Sequence, residues 1–181
     1  ERILTAYHQE YPLRRGMPRE ELRTRLGLDA RLFARFLSAL LARGHVMEEG
    51  PVLVRLPTHQ VVFTPEQQRR VAALRERLAA AGASPPSRAE LESSLGLAPE
   101  VVQALLDRGD LVEVAPDIVY LRETYDELVN AVRAIIAQEG SITVARYRDH
   151  FQTSRKYALA LLEHLDQVRV TRRVGDERVL Y

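Results

Sequence analysis

The sequence contains no cysteine, so neither disulfides nor cysteine-ligated zinc can hold it together. No apolar run approaches the ~20 residues of a membrane-spanning helix, and the N-terminus shows no signal-peptide pattern. A soluble, cytoplasmic protein without a membrane partner is therefore expected. There is no glycine-rich phosphate loop ending in Gly-Lys-Ser or Gly-Lys-Thr and no GxGxxG turn, so nucleotide hydrolysis and dinucleotide binding lack their usual scaffolds. His8, His45, His59, His150 and His164 form no pair at metal-ligand spacing, so no metal and no cofactor is expected in these residues. Acidic pairs such as Glu20-Glu21 and Glu48-Glu49 read as solvated helix and hairpin residues, and Thr153 and Ser154 as helix caps. No catalytic residue is assigned, and an enzyme is not expected. The chain starts at Glu1 without a methionine, as a piece of a longer protein would.

Net charge is equally scarce. At +1 over 181 residues it gives no global argument for nucleic-acid binding. Its distribution is more informative. Residues 1–59 hold ten arginines against seven acids, 60–122 hold seven against nine, and 123–181 hold nine bases against nine acids. Within 146–178, eight basic residues stand against five acidic ones.

What the sequence does contain is one unit written three times. Ala-Leu-Leu recurs at 39–41, 104–106 and 160–162, each time late in an apolar-periodic helix. ALLARGHVMEEGPVLVRL ends at Leu56 and ALLDRGDLVEVAPDIVYL at Leu121, with Gly44 and Gly109 where a helix C-cap is expected. Each leads into two short strands. The third copy has Leu165 in place of that glycine, and its hairpin is expected to be about four residues longer. Upstream, Glu21-Leu22 to Leu28 matches Glu90-Leu91 to Leu97 and, more loosely, Arg146-Tyr147 to Thr153, as a short helix, a tight turn and the start of the next helix. Phe33, Phe36, Leu37 and Leu40 are expected to be buried in the first copy. Longer opening helices are expected over Arg2 to Glu10, from Thr64-Pro65-Glu66-Gln67 to Ala81, and from a Thr124 cap to Gly140.

Helix, short strand, helix, turn, helix and two-stranded wing describes a winged helix. The fold class expected is mainly α with small β-hairpin wings, a tandem array of three winged-helix domains over 1–59, 60–122 and 123–181, each of a size that can fold. Pro57 to Phe63 and Leu121 to Thr124 are read as short joints that give a rod-like or L-shaped array with limited hinge motion, and Pro85-Pro86-Ser87 as a loop within the second copy.

The last copy carries the chemistry. Ser154-Arg155-Lys156-Tyr157 opens an amphipathic helix whose first turn projects two cations, where a recognition helix meets phosphates or a groove. A hairpin around Gly175-Asp176 carries Arg172, Arg173 and Arg178. Those arginines also fit an ordinary solvated hairpin face, and the basic helix start beside them is what favours binding. Tyr157 has two readings, stacking on a base or filling space under the wing. Arg146 and Arg148, on the preceding helix, are secondary candidates.

The segment SITVARYRDHFQTSRKYALALLEHLDQVRVTRRVGDERVLY resembles the final winged-helix domain of bacterial selenocysteine-specific elongation factors. There an ending T-S-R-K-Y-A-L-A-L-L-E-x-L-D precedes a T-R-R-x-G-D-x-R-V-L wing. Pro12-Leu13-Arg14-Arg15-Gly16-Met17 with Glu20-Glu21-Leu22-Arg23 resembles an earlier domain of the same tail. The resemblance implies a GTPase with four C-terminal winged helices, of which this chain holds the last three. GTP, magnesium and selenocysteinyl-tRNA would then belong to absent domains. The last winged helix would bind the messenger-RNA hairpin that recodes UGA, reading a loop guanine and a bulged uridine, in a monomer working on the ribosome. Arg155, Lys156, Arg172, Arg173 and Arg178 are the expected contacts, with Ser154 and its N–H near a phosphate. The first two copies are read as spacers. Arg14, Arg15, Arg19 and Arg23 either touch ribosomal RNA or form a solvated face.

Two other classes compete. A DNA-binding regulator requires a basic recognition helix in a further copy and usually a dimer, whereas the second copy offers Glu100, Gln103 and Asp107. A protein-interaction adaptor fits the acidic middle copy but leaves the pairing of Ser154-Arg155-Lys156 with Arg172-Arg173 without a role.

Overall fold

Alternating periodicities of 3.6 and 2 fold into three successive groups of elements in a computed structural model covering residues 1–181. Two compact units emerge, Glu1–Pro65 and Glu66–Tyr181.

The first unit contains α1 (Arg2–Glu10), β1 (Met17–Pro18), α2 (Arg19–Leu26), α3 (Ala30–Ala42), β2 (Met47–Glu49) and β3 (Leu53–Arg55). Its sheet has the order β1-β3-β2, all antiparallel. Leu4, Tyr7, Met17, Leu22, Phe33, Leu37, Val46 and Val54 make the core. Asp29 caps α3 by accepting from the backbone N–H groups of Arg31 and Leu32. Phe36, expected to be buried, is 44% exposed, because it lies a turn from Leu32 on the outward face and not with Phe33 and Leu37. At the end of this unit His59 stacks on His8 at 3.7 Å, and His8 Nε2 accepts the backbone N–H of Leu56.

The second unit holds both remaining copies. The middle one is α4 (Pro65–Ala81), α5 (Arg88–Leu95), α6 (Pro99–Arg108), β4 (Leu111–Ala115) and β5 (Ile118–Leu121). The last is α7 (Arg122–Glu139), β6 (Ile142–Thr143), α8 (Val144–Phe151), α9 (Arg155–Gln167), β7 (Thr171–Val174) and β8 (Glu177–Leu180). Sheet order β6-β8-β7 repeats the first copy, but the middle copy has only the β4-β5 hairpin. The expected short strand is absent there because Pro85 and Pro86 occupy its place and have no N–H to donate. The hairpin still reaches the second helix, as Arg88 N–H donates to the Asp117 carbonyl much as Arg19 N–H donates to that of Val52.

Two junctions depart from expectation. No joint separates β5 from α7: the helix starts at Arg122, with Leu121 as N-cap, two residues before the expected Thr124 cap. The four extra residues of the third copy lengthen the helix, not the wing. Arg169, at φ 58°, takes the left-handed position held by Gly44 (69°) and Gly109 (80°). Its closing hydrogen bonds, Arg169 N–H to Asp166 and Val170 N–H to Leu165, repeat those at Gly44-His45 and Gly109-Asp110.

A single apolar cluster joins the two copies of the second unit. Val112, Val114, Ile118 and Tyr120 of the middle hairpin pack with Leu128, Val132, Ile136, Tyr147, Leu161 and Leu165 of the last copy.

Two stability outcomes are expected. Arg169→Gly relieves a left-handed non-glycine and should raise the stability of the second unit by about 0.5 kcal/mol, while Gly109→Ala should lower it by about 1 kcal/mol, both read from urea unfolding. Burial first, then His59 and Arg55, lower the His8 pKa to about 4. The unfolded chain protonates that ring below about 6.5, so the stability tied to neutral His8 is complete above that pH and lost as pH falls toward 4. Amide exchange in α1 should therefore quicken from pH 7 to pH 5 beyond its intrinsic pH dependence, and His8→Gln should flatten that change.

Candidate nucleic-acid interface

Helix α9 is amphipathic, with Ala158, Leu161, Leu162 and Leu165 buried and its first turn facing outward. Ser154 is its N-cap residue and exposed, yet its side chain makes no capping hydrogen bond. The neighbouring Thr153 hydroxyl is engaged elsewhere: it donates to the Ala83 carbonyl at 3.1 Å and meets the Ser84 hydroxyl at 2.7 Å. The leading N–H groups of α9 thus keep the partial positive charge of a helix start without a side-chain acceptor. Arg155 and Lys156 stand there exposed and without an ion pair, Lys156 lying 5.5 Å from the centre of the Tyr157 ring.

The other expected residues separate into free and committed groups. Arg172 is exposed and makes no hydrogen bond or ion pair. Arg173 is exposed and folds over its own turn, donating to the Gly175 carbonyl at 2.8 Å and lying 3.5 Å from Asp176. Alternation along β7 puts these two arginines on opposite faces of the wing. Arg146 forms a two-pronged pair with Glu139, which lowers the Glu139 pKa and raises that of Arg146. Arg148 pairs with Asp149 at 2.6 Å.

One expected contact is corrected outright. Arg178 is 2% exposed, and its guanidinium donates to Asp166 at 3.1 Å, while the other oxygen of that carboxylate accepts from the buried Thr171 hydroxyl at 2.6 Å. This triad fastens both wing strands to the C-terminal end of α9, roughly 16 Å along the helix from Arg155. Tyr157, read as either stacking on a base or filling space under the wing, is anchored through its hydroxyl to the loop of the middle copy. It is half-buried, and its hydroxyl donates to the Pro85 carbonyl at 2.8 Å.

Among the residues the sequence reading passed over, Arg169 is exposed at the root of the wing, 5.8 Å from the Tyr181 ring. Aligning the three copies at their glycines would have marked it. In the first unit, Arg14 donates to the Tyr7 hydroxyl and lies over the Tyr11 ring, Arg15 pairs with Glu49, Arg19 with Glu48 and Arg23 with Glu20. Of the two readings of this cluster, contact with ribosomal RNA or a solvated face, these partners favour the second.

Arg178→Ala empties a buried site and leaves the half-buried Asp166 carboxylate without its cation, and is expected to cost about 3 kcal/mol in urea unfolding, whereas Arg178→Met, which fills the space, should cost clearly less than the alanine. A small alanine effect, within about 0.5 kcal/mol as for an ordinary surface change, would place Arg178 back on the exterior.

Residues 2–54 and 134–180 each match a family described as elongation factor SelB, winged helix, and together these stretches span more than half of the chain. A selenocysteine-specific elongation factor from Desulfomicrobium baculatum is 30% identical over 97% of this chain and 28% of its own length. Its counterpart from Escherichia coli K12 is 27% identical over 98% of this chain and 29% of its own length. The chain thus spans less than a third of these relatives. Among solved structures, the mRNA-binding domain of elongation factor SelB from E. coli in complex with SECIS RNA superposes with a TM-score of 0.55 at 25% identity, over 65% of this chain and 98% of that one. A bacterial selenocysteine-specific elongation factor, EF-Sec, shares the fold with a TM-score of 0.58 over 99% of this chain and 28% of that one, at 17% identity. With winged-helix copies at both ends of its sequence matching the same factor, the chain belongs to the SelB family of selenocysteine-specific elongation factors, in its winged-helix region.

Proposed function

We propose that this chain is a messenger-RNA-binding arm of a selenocysteine-specific elongation factor, gripping a selenocysteine-insertion hairpin with its last winged helix. The reading takes winged-helix copies over 1–59, 60–122 and 123–181, the last two acting as one body. The observation that carries it is the start of α9. There Arg155 and Lys156, exposed and unpaired, stand beside helix N–H groups that no side chain caps, in a chain related to a domain that binds such an RNA. Helix starts and free cations hold phosphates, and splayed loop bases supply specificity.

Arg172, and Arg173 once it swings off its turn, extend the contact along the wing. Arg146 and Arg148 contribute less, since each must first leave a carboxylate. In this reading GTP, its magnesium ion and selenocysteinyl-tRNA belong to the other part of the factor, and the ribosome in the cytoplasm is the setting.

The test is fluorescence anisotropy of the 181-residue chain with a selenocysteine-insertion hairpin, a hairpin with scrambled loop and bulge, and a DNA duplex, each over a salt series. Binding should be tight for the first and lost on scrambling. Arg155→Ala/Lys156→Ala should weaken it by about 2 kcal/mol and reduce the log–log salt slope by about 1.5, with a smaller loss for Arg172→Ala and little for Arg148→Ala. Equal, steeply salt-dependent binding to all three nucleic acids would refute hairpin recognition.

A further inference from the structure

We infer that α3 of the first unit carries a second RNA-binding face, distinct from the hairpin site on α9, and that it takes the phosphate backbone of a structured, double-helical RNA. This inference rests on the proposed function only in placing the chain among RNAs.

The first unit has three more arginines than acids, and intramolecular pairing decides where that surplus sits. Its glutamates are largely engaged by arginines elsewhere: Glu48 and Glu49 on β2 hold Arg19, Arg15 and Arg55, and Glu20 and Glu21 hold Arg23 and Arg25. Arg31, Arg35 and Arg43 make no hydrogen bond or ion pair through their side chains and are exposed. The first two lie on α3 and the third is its C-cap residue.

α3 contains no acidic residue. At 100° per residue, Arg31, Leu32, Arg35, Phe36 and Ala39 fall within an arc of about 140°, opposite the buried Phe33 and Leu37. Arg31 and Arg35 are one turn apart, roughly 6 Å, which suits successive anionic groups better than a single carboxylate. Leu32 and Phe36, 53% and 44% exposed, border the arginines with apolar surface.

The position of this helix supports the assignment. α3 is the third helix of its copy, as α9 is of the last, and both present unpaired cations to solvent. The middle copy does not: on α6 the outward Gln103 donates to Asp107, and Glu100 lies in the first turn. The one carboxylate at the end of α3, that of its N-cap Asp29, is engaged by the backbone N–H groups of Arg31 and Leu32, and the unpaired basic face beyond it complements a polyanion. Arginine adds stacking and forked hydrogen bonding to phosphate.

The experiment uses the whole chain and a labelled RNA duplex of about 20 base pairs, long enough to present two successive minor grooves. Binding is measured with α9 silenced by Arg155→Glu/Lys156→Glu, and again with α9 intact and saturated by unlabelled hairpin. Adding Arg31→Glu/Arg35→Glu should weaken duplex binding at least about tenfold and lower the log–log salt slope by about two, one for each phosphate no longer neutralised. In the chain with α9 intact, the same substitutions should change hairpin affinity less than about twofold, since they lie outside its site. Phe36→Ala, which leaves the charge in place, should weaken duplex binding without changing the slope.

Duplex affinity unmoved by the charge reversal would overturn the inference, as would a chain that binds no RNA duplex once α9 is silenced. A DNA duplex bound as tightly as RNA and weakened in parallel would also overturn it, in favour of a DNA-binding face. A hairpin that binds no better than its scrambled form, while duplex binding still depends on Arg31 and Arg35, would remove the proposed function and leave this site standing.

Discussion

Three hydroxyls from different elements converge on one short loop, and the arrangement of the second unit depends on it. Tyr120 of β5 and Thr153 both donate to the Ala83 carbonyl, and Tyr157 of α9 donates to that of Pro85. Each bond contributes on the order of 1 kcal/mol. Their common effect is geometric, because they close over an apolar cluster to which both copies contribute. A chain that enters α7 directly from β5 leaves no slack for the two copies to separate. The middle copy is therefore more than a spacer. Its loop fixes the direction in which α9 begins, by holding the Thr153 hydroxyl immediately before the Ser154 N-cap.

Unpaired cations, and not basic residues as such, mark the surfaces available to nucleic acid. An arginine already held by a carboxylate must exchange one charged partner for another, with little net gain. On that criterion Arg15, Arg19, Arg23, Arg146 and Arg148 recede, Arg14 is engaged by the Tyr7 hydroxyl and the Tyr11 ring, and Arg31, Arg35, Arg155, Lys156 and Arg172 remain. A net charge of +1 conceals this, since most charges cancel locally.

The repeat was legible because its markers are local. Glycines at left-handed positions, Ala-Leu-Leu in late helical turns and strand pairs around Gly50-Pro51 and Gly175-Asp176 each follow from backbone geometry and apolar period, which neighbouring residues specify. The expectations that failed did so where a partner outside the local stretch, the phase of a helix or the conformation of one residue decided the outcome. Arg178 stands in an arginine-rich hairpin, and nothing near it in sequence reveals Asp166 beneath. Tyr157 follows two exposed cations, and its partner Pro85 lies 72 residues earlier. Phe36 shares the period of an apolar helix but falls on its outward arc. Thr124 has the look of a cap, yet strand pairing carries β5 directly into α7. The extra residues of the third copy could be counted, but their placement required recognising that Arg169 adopts a glycine's conformation.

That placement shapes the wing. Had the added residues lengthened the hairpin, they would have produced a longer and looser ribbon whose arginines reached outward without support. In the helix they extend α9 by a turn, so that Asp166 can receive Arg178 from β8 and Thr171 from β7 together. β8 also pairs with β6, which holds the wing from its other edge. The strands are thus tied to the helix at their base, and only the turn and the side chains of Arg172 and Arg173 are left to adapt. Because these two arginines point to opposite faces of a ribbon so held, an RNA lying against one face of the wing meets one of them directly. The other can join only by reaching around the strand edge, so the first turn of α9 supplies the larger share of fixed positive charge.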